Sequence, residues 1–153
     1  MKRNDIRLSF FCTLAVVVTS LSWGAGILDA STARAEILIA INTAAQQMTV
    51  SVDGTKRWTW PVSTGAPGYQ TPAGTYHVLR MEKDYASKEW DDAPMPFSIF
   101  FTKRGHAIHG SSVTKSLGRP VSHGCVRLNP ANAGKLFELV RSRDFNATTV
   151  TVN

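Results

Sequence analysis

The sequence predicts a mostly β domain with one substantial α-helix near its C-terminus. Short alternating or β-branched segments recur along the chain, turn residues separate them, and one later segment carries a helical apolar stripe. A length of 153 residues suits a single domain, and 43% hydrophobic with 18% charged residues suits a packed core. Two cysteines exclude both a disulfide-dense scaffold and a four-cysteine zinc site.

The first 35 residues predict a secretory signal peptide. A basic start, Met1–Arg7, precedes an apolar run, Leu8–Val18, and a small-x-small cleavage motif occupies Ala33–Ala35. We therefore expect an exported protein of the periplasm or cell envelope, whose mature domain spans residues 36–153. An uncleaved membrane anchor is the alternative, but polar residues interrupt the apolar run after Val18.

Removing residues 1–35 changes the charge and the cysteine count. The segment holds four Lys or Arg and two Asp, so the formal net charge falls from +6 to +4. Cys125 then remains as a single thiol, which in an exported chain is either paired between molecules or reactive. A positively charged chain is suited to binding nucleic acid or an anionic cell envelope. The sequence contains no nucleic-acid-binding motif, and export conflicts with a nucleic-acid-binding role.

Four strands are predicted in the first half of the mature chain. Asp53-Gly54, between the second and third strands, is a strong hairpin signal, and Pro61 places the third strand at a sheet edge. Gly and Pro residues across 63–74 predict a loop. The predicted strands are 37–41, 47–52, 56–63 and 75–81.

Residues 84–96 predict a long loop, because they mix charges with two prolines and show no clear period. Tyr85 and Trp90 within it are candidates for a lid over a substrate, with plain anchoring of the loop as the alternative. Strands 97–102 and 107–109 are expected on either side of a Lys-Arg-Gly turn.

A helix is predicted after Asn129, which can cap it, with Pro130 at the first helical position. An apolar stripe on this helix is expected to face the core, and a final strand follows at 148–152. The stripe consists of Ala133, Leu136, Phe137 and Val140.

The residues that carry chemistry lie between positions 109 and 128. Only a few per cent of an ordinary thiol is thiolate near neutral pH, so Cys125 needs a base to act as a nucleophile. His123 is two residues from Cys125, across Gly124, whereas His109 ends a predicted strand 16 residues upstream and can approach from a neighbouring element. These spacings leave the choice between the two histidines open.

Gly124 allows a sharp turn and a close approach of substrate beside Cys125. The backbone N–H groups of Gly124 and Cys125 are candidates to face a developing oxyanion, which is a hypothesis. Cys125 has two alternative roles besides that of a nucleophile. It could be an inert buried thiol, or a metal ligand together with His106, His109 and His123. We expect no metal, and a structural or solvent-exposed role for His106 and for the mid-strand His77.

The pattern His109-Gly110, followed by Ser122-His123-Gly124-Cys125-Val126-Arg127-Leu128, resembles the L,D-transpeptidases of the YkuD type, which are bacterial cell-wall cross-linking enzymes. The stretches Ser63–Gly65 and Thr71–Tyr76 are also similar to this family. The resemblance covers residues 36–153 and implies a β-sandwich-like catalytic domain.

The same resemblance implies a role for each residue of the motif. Cys125 would be the nucleophile, and His109 the general base and acid, oriented by the backbone carbonyl of Gly110. His123 would shape the pocket and support the thiolate or the oxyanion. Arg127 would hold the peptide or its carboxylate, which suits a guanidinium, and Ser122 would brace the turn.

The implied substrate is the peptide stem of peptidoglycan. The thiolate would attack the meso-diaminopimelate carbonyl of a tetrapeptide stem and release D-Ala, and an amine would then take the acyl group to give a 3→3 cross-link. A lipoprotein lysine, a D-amino acid and water are other acceptors of the family. The alternatives are therefore an L,D-carboxypeptidase and, in another class, a non-catalytic wall-binding module. We expect a monomer without cofactors.

Overall fold

The computed structural model of the protein describes residues 36–143 and 145–153. The predicted signal peptide, residues 1–35, lies outside the described residues. Within them the chain forms nine β-strands, one α-helix and two single-turn 3-10 helices. None of the helices in this described part is long and apolar enough to cross a membrane.

The first sheet has five strands, and its central strand alternates between buried and exposed residues. Ile37, Ile39 and Ile41 are fully buried, while their neighbours along the strand face outward. β1 pairs in parallel with β9, and the other pairs are antiparallel. In spatial order the strands are β3 (Thr55–Pro61), β2 (Gln47–Val52), β1 (Ile37–Asn42), β9 (Thr148–Val152) and β4 (Gly74–His77).

The second sheet has four strands and carries the motif residues. Its last two strands run parallel, so that His109 lies opposite Arg127. In spatial order the strands are β5 (Arg80–Ser87), β6 (Ala93–Phe100), β7 (Ala107–Gly110) and β8 (Val126–Leu128).

One apolar core joins both sheets to helix α1 (Pro130–Ser142). The Asn129 side chain accepts a hydrogen bond from Ala131 N at 2.9 Å, and Pro130 opens the helix as predicted. The four apolar stripe residues of α1 are buried against both sheets. The fold is therefore mostly β with one main helix near the C-terminus, which confirms the predicted class.

Two predictions about the middle of the chain were wrong. The segment 75–81 is not one strand, because β4 ends at His77 and the chain crosses to the second sheet, where Leu79 N donates to Phe100 O at 2.8 Å. The segment 84–96 is not a loop but lies within the β5–β6 hairpin, in which Tyr85 pairs with Met95.

The hairpin escaped prediction because its local sequence signals are weak. Its turn, residues 88–92, contains Asp91 and Asp92 in the left-handed region, at φ 46° and 49°, a conformation that Asp tolerates better than most residues. Two prolines in β6 and exposed polar residues on both strands hide the alternation that would have marked a strand. Pairing between β5 and β6 sets the structure here.

Candidate active site

A cavity of about 750 Å³ lies on the outer face of the second sheet. Val126 and Leu128 of β8 point into the common core, so Arg127 between them points the other way. His109 shares that face because it pairs with Arg127. The cavity is lined by seven of the nine predicted site residues, namely Tyr85, Trp90, His109, Ser122, His123, Cys125 and Arg127.

The structure fixes which nitrogen of His109 is free. His109 is buried on β7, and its Nδ1 lies 2.8 Å from the carbonyl oxygen of Gly110. A carbonyl oxygen only accepts, so Nδ1 carries the hydrogen and the lone pair resides on Nε2. Gly110 thus acts through its backbone, and Nε2 of His109 is available as a base.

Burial lowers the pKa of His109 from 6.5 to about 4. The positive charge of Arg127 lowers it further, while the hydrogen bond to Gly110 opposes the shift. His109 is therefore neutral near pH 7 and able to accept a proton.

Burial also raises the pKa of the Cys125 thiol. The backbone N–H of Ala107 and the charge of Arg127 lower this pKa, and Glu89 raises it. The thiol contacts the Gly105 carbonyl oxygen at 3.9 Å, and no hydrogen bond joins it to His109 among the described residues. The resting pair is therefore a neutral thiol beside a neutral imidazole, and catalytic hydrogen bonds are often long before substrate binds.

Side chains brace the Ser-His-Gly-Cys turn from two sides. Ser122 Oγ donates to the carbonyl of Cys125 and accepts from Gly124 N at 3.2 Å. From the other side, Thr71 Oγ1 donates to the Gly124 carbonyl at 2.8 Å and accepts from Gly65 N at 3.0 Å. The upstream stretches that resembled the family therefore hold the turn that carries the nucleophile.

The bond to Ser122 changes the oxyanion hypothesis. It occupies the Gly124 N–H, so this amide is not free to meet a developing negative charge. Within the part of the chain that the structure describes, the Cys125 N–H has no hydrogen-bond partner and stays a candidate donor.

Gly124 is required for two reasons. Its φ of +111° lies in the left-handed region, which favours glycine. A β-carbon at this position would also lie 2.9 Å from Cδ2 of His106. His106 thus fills the space that a side chain at residue 124 would need, and it also lines the cavity.

The tip of the β5–β6 hairpin contacts the turn directly. The indole of Trp90 stacks on the imidazole of His123, with centroids 3.8 Å apart and planes 6° apart. Tyr69 packs edge-on against His123 at 5.0 Å and against Trp90 at 6.0 Å. His123 therefore joins the hairpin to the nucleophile's turn. Sequence reasoning missed Tyr69, which lay in the Gly- and Pro-rich loop without a periodic signal.

Arg127 and Tyr85 form the floor of the cavity. The guanidinium of Arg127 has no ion-pair or hydrogen-bond partner among the described residues and is half-buried. Tyr85 packs with Cys125 in a small cluster on this face and meets Phe100 edge-on at 5.1 Å. The cavity thus offers the positive charge of Arg127 beside the apolar surface of Tyr85, and Lys88 and Arg104 also line it. No group of three or more His, Cys, Asp or Glu residues able to hold a metal ion occurs in residues 36–143 and 145–153.

Comparison with protein-family models matches residues 36–152 to the YkuD L,D-transpeptidase catalytic domain. The chain belongs to this family. The resemblance drawn from the motif is thereby confirmed at the level of the family, whose members are enzymes.

Curated relatives and solved structures agree with this assignment. The chain is 27% identical to the YkuD protein of Bacillus subtilis and 28% identical to L,D-transpeptidase 1 of Mycobacterium tuberculosis, over 75% and 82% of its length. It spans 65% and 56% of those two relatives.

The solved structure of an L,D-transpeptidase from Mycobacterium smegmatis is 28% identical, with a TM-score of 0.70 over 78% of this chain and 59% of that one. The structure of the L,D-transpeptidase LdtMt1 in complex with imipenem is 25% identical, with the same TM-score and coverage.

Proposed function

We propose that the protein is a peptidoglycan L,D-transpeptidase that uses Cys125 as its nucleophile and His109 as its general base and acid. The observation that carries this proposal is the shared cavity, where a buried neutral imidazole with a free Nε2 faces the same space as the thiol and the Arg127 guanidinium, which has no partner among the described residues. Membership of the family supports the same chemistry.

In the first step, Nε2 of His109 takes the thiol proton while Sγ of Cys125 attacks the meso-diaminopimelate carbonyl of a tetrapeptide stem. The tetrahedral intermediate then breaks its bond to the D-Ala nitrogen. His109 delivers its proton to that nitrogen, and D-Ala leaves as a neutral amine. A thioester on Cys125 remains.

In the second step, the side-chain amine of a second stem attacks the thioester carbonyl. The carbon–sulfur bond breaks as the new amide forms, and His109 passes the proton from the amine nitrogen to the sulfur. The product is a 3→3 cross-link, and a lipoprotein lysine would react in the same way. Water in place of the amine would make the protein an L,D-carboxypeptidase.

The other cavity residues suit substrate binding. The free guanidinium of Arg127 is suited to a stem carboxylate, which it can bind in bidentate fashion. Tyr85 and Trp90 offer apolar surface to the peptide, and Trp90 sits where a lid would close. This chemistry fits an exported, monomeric protein of the cell envelope, because its substrate lies outside the cytoplasmic membrane.

The product assay tests transfer against hydrolysis. The purified protein is incubated with disaccharide-tetrapeptide, and the products are resolved by mass spectrometry. We expect a cross-linked dimer with loss of one D-Ala, and no product from Cys125→Ala. A tripeptide product without dimer would assign the protein to the hydrolases, and binding without turnover would indicate a wall-binding module.

A further inference from the structure

His106 lies beside the nucleophile but has no part in the mechanism above. It lines the cavity, three residues before His109. Its Cδ2 and Nε2 lie 2.9 and 3.1 Å from the position that a β-carbon on Gly124 would occupy. The Nε2 edge of this ring therefore borders the residue directly before Cys125.

Thr102 sets the tautomer of His106. The backbone N–H of His106 donates to Thr102 Oγ1 at 3.0 Å, and the same oxygen lies 2.8 Å from Nδ1. We assign the Thr102 hydroxyl as the donor in this pair, because Nδ1 is the one acceptor for it that the structure shows among the described residues. Nδ1 is then the unprotonated nitrogen, and the ring hydrogen resides on Nε2.

His106 is also uncharged near neutral pH. Burial lowers its pKa, and Arg104 lowers it further, while Glu89 on the hairpin turn opposes the shift. A neutral ring whose Nδ1 accepts a hydrogen bond from Thr102 has one remaining donor, the N–H on Nε2. Nothing in the described residues accepts it.

The oxyanion needs hydrogen-bond donors from the site. Attack by Cys125 places negative charge on the carbonyl oxygen of the acyl group, which preorganised donors must stabilise. The Gly124 N–H is occupied by Ser122, so this amide is not available, whereas the Cys125 N–H is still a candidate. A second donor close to Gly124 would complete such a site.

We propose that Nε2–H of His106 is the side-chain hydrogen-bond donor to the carbonyl oxygen of the acyl group on Cys125. The inference rests on the proposed thioester chemistry and adds a catalytic residue to it. His106 keeps its proton throughout, because negative charge builds on the oxygen in the tetrahedral intermediate and returns to the carbon–oxygen double bond when it collapses. Both the acylation and the transfer step would use the same donor.

Two reagents distinguish stabilisation of the oxyanion by His106 from a purely structural role of this residue. Imipenem acylates a cysteine through a tetrahedral intermediate, whereas iodoacetamide alkylates it by direct displacement and forms no oxyanion. We expect His106→Phe to slow acylation by imipenem about 100-fold, as for loss of one oxyanion donor, while its alkylation rate stays near that of the parent protein. His106→Gln keeps a side-chain N–H and should restore most of the acylation rate.

Further variants provide the controls. His77→Phe changes an exposed histidine on β4 that does not line the cavity, and should alter neither rate. Thr102→Val removes the hydroxyl that fixes the tautomer, so it should slow acylation when His106 is present and have no effect in the His106→Gln background.

The outcomes distinguish this inference from the proposed function. If the parent protein is not acylated at Cys125, the thioester chemistry itself fails. If the parent is acylated but His106→Phe reacts equally fast, or loses acylation and alkylation together, His106 is not the donor. An equal effect of Thr102→Val in both backgrounds would also overturn the assignment.

Discussion

Cys125 and His109 both favour their uncharged forms, and burial is the main cause for each. A buried cysteine and histidine can instead rest as a thiolate–imidazolium pair when neighbouring charges support it. Here Glu89 opposes the thiolate and Arg127 opposes the imidazolium. In the proposed mechanism the thiolate therefore forms as substrate is attacked, with Nε2 of His109 taking the proton.

The base can be removed without disturbing its hydrogen bond to Gly110. In His109→Asn, the side-chain amide can still donate to the Gly110 carbonyl, but the variant has no Nε2. We expect acylation of Cys125 by imipenem to fall about 100-fold or more, since general-base catalysis contributes that much. His77→Asn, on an exposed position of β4, is the matched control. Unchanged acylation in His109→Asn would make His123 the base.

The same burial makes folding stability depend on pH. His109 has a pKa of about 4 in the folded protein against 6.5 when unfolded, so between these values the unfolded chain binds more protons. The free energy of unfolding should therefore fall as the pH is lowered from 7 to 4, by about 3 kcal/mol from this residue.

Urea unfolding at both pH values measures this contribution. The parent protein and His109→Asn share all other titrating groups, so the difference between them isolates residue 109. The variant should lose less stability on acidification than the parent. An identical loss in the two proteins would contradict a neutral, buried His109.

At the scale of elements, the tip of the β5–β6 hairpin borders the cavity and is held by the aromatic contacts of Trp90. Trp90 in its turn stacks on His123, and Tyr69 supports both rings. The hairpin turn is otherwise exposed, and β5 is an edge strand. The contact with His123 therefore controls how freely the hairpin tip can leave the nucleophile's turn.

Removing the indole of Trp90 should make Cys125 more accessible to large reagents. A stacked aromatic pair contributes about 1 kcal/mol, so Trp90→Ala should speed alkylation of Cys125 by a bulky maleimide about fivefold. Alkylation by the small iodoacetamide should change much less, because that reagent does not need the hairpin to move. Trp90→Phe keeps a stacking ring and should stay close to the parent. Equal acceleration with both reagents would mean that the thiol itself, and not access, had changed.

At the scale of the whole molecule, the cavity is assembled from segments that are far apart in the chain. Residues 63–65 and Thr71 hold the Ser-His-Gly-Cys turn, β7 brings His109, and the hairpin lines one side of the cavity. The parallel pairing of β7 with β8 sets the register that puts His109 opposite Arg127. Disturbing either sheet would therefore misplace groups whose own sequence motif is intact.

Local sequence features predicted a large part of this structure. The strand and hairpin signals before residue 62 are correct, as are the helix cap at Asn129 and its buried stripe. These features depend on neighbours in sequence, which is why they can be read from it. Prediction failed for 75–81, where β4 pairs with the distant β9, and for 84–96, where prolines and exposed polar residues hide the pattern of a local hairpin.

The sequence also predicted the motif and its chemistry, but it did not predict the geometry of the site. The sequence by itself determined the family, the one thiol of the predicted mature chain at Cys125 and two histidines able to act as its base. Only the tertiary structure brought His106 against Gly124, engaged the Gly124 N–H with Ser122 and stacked Trp90 on His123. Protonation states and hydrogen-bond partners depend on burial and on contacts between distant segments, and neither is encoded in the spacing of residues along a chain.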